Sequence, residues 1–177
     1  MEPLTLSEML LQWLIPLGFA LAVIFDLTTN KIPNWFCCAL LVSGVVLNVV
    51  ISGWSGMGFA TGGSLVALLT VPLYAKKYIA AGDVKFMLGM GALMGPTLTL
   101  WVLLIGIACG ALIAPLLAVT QVGWQGLAMT FKRYYQCAIT RTYFKPEPGE
   151  VAALRVPYAP ALAAGWLLTL WLPLPGL

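Results

Sequence analysis

Long stretches of apolar residues without a single charge constrain this chain more than any other feature of its sequence. Most are long enough, or nearly so, to cross the roughly 30 Å hydrocarbon core of a bilayer as a helix. The clear runs cover residues 9–25, 35–51, 59–75, 98–119 and 158–175. A further segment, 84–96, is short enough to be a re-entrant element as well as a span. The pattern predicts an all-α integral membrane protein.

Charge is scarce throughout the chain. Only 8% of its residues are charged, whereas soluble domains carry about 25%. The absence of histidine excludes histidine metal sites, serine–histidine–aspartate triads and cysteine–histidine dyads. The cysteines form no C-x-x-C pair, so we expect neither a metal nor a cofactor. At this length we expect a single membrane domain over residues 1–177.

The basic residues decide whether 84–96 crosses the membrane. If it does, all 9 lysines and arginines fall in or beside the loops 26–34, 76–83 and 120–157, on one side. The positive-inside rule makes that side cytoplasmic. If it does not, the basic loop 120–157 lies opposite the other two loops. We therefore predict about six transmembrane helices with both termini periplasmic.

Two segments have a second interpretation. The first helix could be a signal peptide, but residues 1–8 are acidic and Asp26 stands where a small-residue cleavage site would be, so we expect it to be retained. The loop 120–157 mixes aromatic and basic residues, as in "FKRYYQ". This mixture predicts a segment that lies in the lipid headgroup layer. Nucleic-acid binding is not expected of a membrane-tethered loop with few charges.

The chain places its two aspartates where apolar segments meet lysine-bearing turns. Asp26 lies in "FDLTTNKIPNW" and Asp83 in "AAGDVKFMLGMGALMG". In the six-helix topology both lie at cytoplasmic helix ends, at the same depth, and they can face each other if their helices touch. Two facing carboxylates share a proton, because both cannot ionise at close range. One can then act as general base on water and the other as general acid on a carbonyl, as in an aspartic protease.

Simpler roles for the two aspartates stay open at this point. Asp83 precedes a helix, where a carboxylate can cap free N–H groups and favour the dipole. Asp26 follows a helix, where the dipole disfavours a negative charge. A non-enzymatic small transporter could use the two as a proton relay. A transporter would, however, more naturally place its acids near the bilayer midplane.

Residues near the aspartates can be interpreted either as structural or as part of a functional site. Pro33 suits the first turn of the second helix, and Asn34 either caps that helix or lines the site. Lys85 either holds the Asp83 carboxylate ionised or anchors its helix at the membrane interface. Gly82 lets the backbone pass close to a substrate or a neighbouring helix.

Three ordered motifs resemble those of one protein family. An aspartate that ends the first helix is followed by "KIPNW", a second lies in "AGDVKFMLGMGALMG", and "RVPYAPALAAG" opens the last helix. In this order they resemble the type IV prepilin peptidases, which are GxGD-type aspartic proteases of bacterial inner membranes. The first glycine of the Gly-x-Gly-Asp pattern is Ala80 here. A presenilin-like intramembrane protease is an alternative, since "PAL" at 160–162 is similar to a motif of that family.

The resemblance implies a function and a set of site residues. Asp26 and Asp83 would be the catalytic pair, and we expect Gly82, Lys85, Pro33 and Asn34 to support the site. The substrate would be a prepilin or pseudopilin with a short basic leader, cut at the cytoplasmic border of its hydrophobic helix for pilus assembly or secretion. The implied partners are this substrate, membrane lipid and the pilus assembly machinery.

The loop between the first two helices distinguishes this chain from the larger members of the family. It covers only about 27–34 and holds no cysteine pair, whereas the larger members carry a cytoplasmic segment with paired cysteines and a methyltransferase activity. The chain is similar in size to the short peptidases of tight-adherence (Flp-type) pilus systems. The resemblance therefore predicts a peptidase without N-methyltransferase activity.

Overall fold

Helices account for every regular element that the structure describes. The structure is a computed structural model that describes residues 6–76, 79–140 and 158–176. The elements are α1 (Leu6–Thr29), α2 (Asn34–Ala67), a 3₁₀ turn (Leu68–Thr70), α3 (Val71–Ala75), α4 (Ala81–Thr140) and α5 (Ala159–Thr169). The predicted all-α class is confirmed for these residues.

Three helical stretches are long and apolar enough to cross a membrane. They are Leu6–Thr29, Asn34–Ala75 and Ala81–Ile113. The last predicted span, 158–175, is shorter than expected, because α5 has 11 residues and ends at Thr169. The prolines that follow, Pro173 and Pro175, cannot donate the N–H groups that a longer helix would need. The number of crossings and the side of the termini stay predictions.

The chain divides into two compact units. One comprises Met1–Ile107 together with Pro157–Leu177, and the other comprises Ala108–Val156. Both aspartates belong to the first unit. The described part of the second unit is the continuation of α4 as far as Thr140.

Residues 120–140 of the predicted loop 120–157 are helical, as the continuation of α4 as far as Thr140, and the position of this segment in the lipid headgroup layer stays a prediction. No proline falls between 120 and 140 to stop the helix. Residues 141–157 lie outside the described residues.

The polypeptide reverses its direction at Gly53, inside α2. This glycine has φ 59° and ψ −134°, which interrupts the helix. Before the break, the Asn48 side chain donates a hydrogen bond to the Ala92 carbonyl, at 2.9 Å. After it, Gly63 packs against Gly91. Asn48 and Gly63 are far apart along α2, yet they contact adjacent residues of α4. The two halves of α2 therefore run in opposite directions. The reversal falls between the predicted runs 35–51 and 59–75.

A second reversal lies at Gly95, inside α4, where φ is 73°. Before it, α4 runs antiparallel to α1, since Asp83 lies near Asp26 and Met90 contacts Gly18. Helix α5 also runs antiparallel to α1, since Ala159 bonds Asp26 and Trp166 stacks on Phe19. After it, α4 runs antiparallel to α5, since the Trp101 side chain bonds the Pro175 carbonyl and Gly106 contacts Leu162. The two parts of α4 therefore run in opposite directions.

Helix α1 continues beyond Asp26, which we expected to follow it. The Thr29 hydroxyl donates a hydrogen bond to the Phe25 carbonyl, at 2.8 Å, and so occupies an acceptor near the helix end. Asn30 then stops the helix with a left-handed backbone, φ 50°. Asp26 thus lies in the last turn of α1.

Candidate active site

The buried face of α1 leads directly to Asp26. Phe19, Ala22 and Asp26 are buried on this helix, at spacings of three and four positions. Such spacings place side chains on one side of a helix. A membrane helix that continues its packed apolar face into a carboxylate brings that carboxylate into contact with other helices rather than with lipid.

Asp83 continues the buried face of α4 in the same way. Asp83, Phe86, Met87 and Met90 are all buried, at offsets of three, four and seven positions. Asp83 lies in the first turn of α4 rather than before the helix, because α4 begins at Ala81. Its Oδ2 accepts a hydrogen bond from the Ala80 backbone N–H, at 3.2 Å. Capping accounts for one contact of this carboxylate and is compatible with a second role.

Phe86 joins three helices one turn away from Asp83. Its ring meets Phe19 of α1 edge to face, with centroids 5.5 Å apart. It also stacks on Phe36 of α2, with centroids 6.4 Å apart and planes 9° from parallel. Aromatic pairs of this geometry contribute about 0.5–1.5 kcal/mol each beyond the area that they bury. Phe86 thereby fixes the start of α4 against α1 and α2.

The two carboxylates lie at the same end of this interface, within electrostatic range of each other. Asp26 is 7% exposed and Asp83 is 4% exposed. Two poorly solvated carboxylates within range of each other repel when both are ionised, so a single proton on the pair is favoured. A shared proton is what acid–base catalysis by a carboxylate pair requires.

Asp26 also accepts a backbone hydrogen bond from the start of α5. The backbone N–H of Ala159, the first residue of α5, donates to its Oδ2 at 3.0 Å. The backbone N–H of Tyr158 also lies near this carboxylate. Sequence reasoning missed this contact, because a backbone amide leaves no side-chain signal. The only hint was the motif "RVPYAPALAAG".

The four residues that we expected to support the site lie at or near the starts of α2 and α4. A Cβ on Gly82 would make ordinary contact with Ile32, at 3.5 Å. Pro33 precedes the first residue of α2 as its N-cap, with φ −63° and ψ 137°. Asn34 does not cap α2. Its Oδ1 accepts a hydrogen bond from Lys85 Nζ, at 3.0 Å.

Lys85 thus connects the starts of α4 and α2. Its side chain is exposed, and no ion pair joins it to Asp83 in the described residues. We expected Lys85 either to hold Asp83 or to anchor its own helix, and its observed partner is Asn34. In the described ranges, no group of three or more histidine, cysteine or acidic side chains forms a possible metal site.

The region that contains both aspartates matches a known family. The family model described as the type IV leader peptidase family matches residues 13–115, more than half of the chain. No curated protein and no solved structure matches the chain significantly. Helix α5 lies outside the matched range. On the family match, the chain belongs to the type IV leader peptidase family, whose members are proteases.

Proposed function

We propose that the protein is an aspartic endopeptidase of the bacterial inner membrane that removes the leader of type IV, Flp-like prepilins or pseudopilins. Asp26 and Asp83 are its catalytic pair. The observation that carries the proposal is the convergence of two buried carboxylates from α1 and α4 at one end of a helical interface. Membership of a leader peptidase family supports a protein substrate with a cleavable leader.

The reaction needs only the two carboxylates and a water molecule. The ionised carboxylate takes a proton from water while the hydroxyl oxygen attacks the scissile carbonyl carbon. The protonated carboxyl donates its proton to the carbonyl oxygen, and a tetrahedral diol forms. When the C–N bond breaks, a proton passes to the leaving nitrogen and the other product retains a carboxyl group. Each carboxyl group changes its protonation state during the step, so neither can be replaced by an amide.

The charges around the aspartates support a cytoplasmic site. Three exposed lysines lie near the same end of the helices: Lys31 follows α1, Lys76 follows α3, and Lys85 lies near the start of α4. Basic residues beside helix ends mark the cytoplasmic face of membrane proteins. A prepilin presents its leader on that face and its hydrophobic helix in the membrane, so its cleavage site falls at the depth of the carboxylates.

The test is leader removal from a purified prepilin in detergent. Wild-type protein should shorten the prepilin, whereas Asp26→Asn and Asp83→Asn should each abolish cleavage while still folding in the membrane. Glu8→Gln is the matched control, because it removes an acid from the first turn of the same helix as Asp26. This control should cleave at the wild-type rate.

Mass spectrometry of the product identifies both the bond cut and the new N-terminus. We expect cleavage next to the hydrophobic helix and an N-terminus without a methyl group. An aspartate variant with near wild-type activity would contradict the aspartic mechanism. A methyl group added by this protein alone would contradict the second expectation.

A further inference from the structure

The backbone N–H of the first residue of α5 donates a hydrogen bond to Asp26. Ala159 is the first residue of this helix, so its N–H group has no partner inside the helix. It donates instead to Asp26 Oδ2 at 3.0 Å, in a bond that joins residues far apart in the chain. Ala159 is fully buried. The next residue, Pro160, has no N–H, and the N–H of Ala161 is engaged with the Tyr158 carbonyl at 3.0 Å.

A second contact fixes the register of α5 along α1. The rings of Trp166 and Phe19 stack with centroids 5.2 Å apart and planes 15° from parallel. Trp166 follows Ala159 by 7 positions, and Phe19 precedes Asp26 by 7 positions. Seven residues are two helical turns. The stack and the hydrogen bond therefore belong to one antiparallel register, in which the start of α5 meets Asp26.

Small residues hold α5 close to α4 on its other side. A Cβ on Gly165 would lie only 2.6 Å from the Gly106 nitrogen and 2.9 Å from the Val102 carbonyl oxygen. Small residues allow membrane helices to approach in this way. Held against both α1 and α4, α5 cannot withdraw its first turn from Asp26 without losing the two sets of contacts.

We infer that the start of α5 is a positioning element of the active site, in which the Ala159 N–H holds the Asp26 carboxylate in its reactive orientation and the Trp166–Phe19 stack sets the register. This inference rests on the proposed function. It gives a role to the motif "RVPYAPALAAG", which the two-carboxylate reaction does not explain. Ala159 and Trp166 act through Asp26 and do not react with the substrate themselves.

Ala159→Pro is the most direct test, because proline lacks the N–H group and suits the start of a helix. A misplacement of about 1 Å can reduce a rate 10²-fold. We expect kcat for prepilin cleavage to fall by about that factor while KM stays the same, since the lost bond does not contact the substrate. Ala159→Gly keeps the N–H, so its kcat should fall far less than that of Ala159→Pro.

Trp166 supplies a side-chain test that leaves the backbone intact. Trp166→Ala removes the stack on Phe19 and should lower kcat by a smaller factor than Ala159→Pro, again without a change in KM. Trp166→Phe retains an aromatic ring and should restore most of the loss. This rescue distinguishes register from general damage to the fold.

Hydrogen–deuterium exchange tests the bond without an activity assay, and so remains informative if Ala159→Pro does not fold. Asp26→Ala should accelerate exchange of the Ala159 amide relative to wild type, because its acceptor is gone. Glu8→Ala on the same helix should leave this exchange unchanged. Unaltered exchange in Asp26→Ala, or equal kcat in the proline and glycine variants, would overturn the inference. If instead Asp26→Asn and Asp83→Asn still cleaved, the proposed function would fail.

Discussion

At the scale of single residues, the two aspartates differ in their position relative to the dipoles of their own helices. Asp83 lies in the first turn of α4, where the dipole favours a negative charge, and Asp26 lies in the last turn of α1, where it is disfavoured. The Ala159 N–H at the start of α5 offsets this unfavourable position by donating a hydrogen bond to Asp26. The carboxylate at the C-terminal end of α1 is therefore tolerated because the start of α5 lies beside it and donates a hydrogen bond.

Lys85 and Asn34 provide a prediction at the same scale. Because the Lys85 side chain bonds Asn34 and no other group among the described residues, Lys85→Ala should lower cleavage by less than about fivefold, as exposed interactions of this kind contribute about 1 kcal/mol or less. Asn34→Ala should have the same effect, and the double variant should be no worse than either single one. Losses that multiply in the double variant would show that Lys85 acts on Asp83 independently of Asn34.

At the scale of helices, apolar runs in the sequence predict where helices exist but not how they pair. The breaks at Gly53 and Gly95 fall between predicted runs, because glycine tolerates the positive φ that a reversal needs. The contact between α5 and Asp26 could not be predicted, since an alanine backbone carries no chemical signal in a sequence. The bond between Lys85 and Asn34 was equally hidden, because their pairing depends on how α2 and α4 pack.

Glycine packing in α2 provides a prediction for this scale. A Cβ on Gly63 would collide with the backbone of Gly91, whereas a Cβ on Gly58 in the same helix would meet nothing within 4 Å. Gly63→Ala should therefore lower the free energy of unfolding by about 1–3 kcal/mol, as overpacking does. Gly58→Ala should cause no loss. Unfolding in detergent measures both, and equal stabilities would contradict the close contact between α2 and α4.

At the scale of the whole molecule, the reversal at Gly53 predicts which segments emerge on opposite faces of the membrane. In a variant without native cysteines, Lys31→Cys should react with a membrane-impermeant thiol reagent only from the cytoplasmic side. Ser55→Cys, which lies at the exposed turn after Gly53, should react only from the periplasmic side. Labelling of both positions from the same side would refute the hairpin and the six-helix topology.

The parts of the site that consist of reactive side chains could be predicted from the sequence. Asp26 and Asp83 could be singled out because a chain with so few charges has little other reason to place acids beside spans. That they lie at the same end of their helices was predicted from the distribution of lysines and arginines. The Ala159–Asp26 bond and the contacts of Phe86 could not be predicted, because they depend on how the helices pack. Many apolar residues in the sequence are equally hydrophobic, and nothing in the sequence shows which of them meet.

The central claim is that Asp26 and Asp83 act as one catalytic unit, and the residual cleavage rate of the double variant tests it most directly. Prepilin cleavage should be measured for Asp26→Asn, Asp83→Asn and the protein with both changes, under identical conditions. Groups that act as a unit fail together, so all three proteins should show the same residual rate, indistinguishable from one another. If the two losses multiplied in the double variant, or if either single variant cleaved at a near wild-type rate, the two carboxylates would not form a catalytic pair.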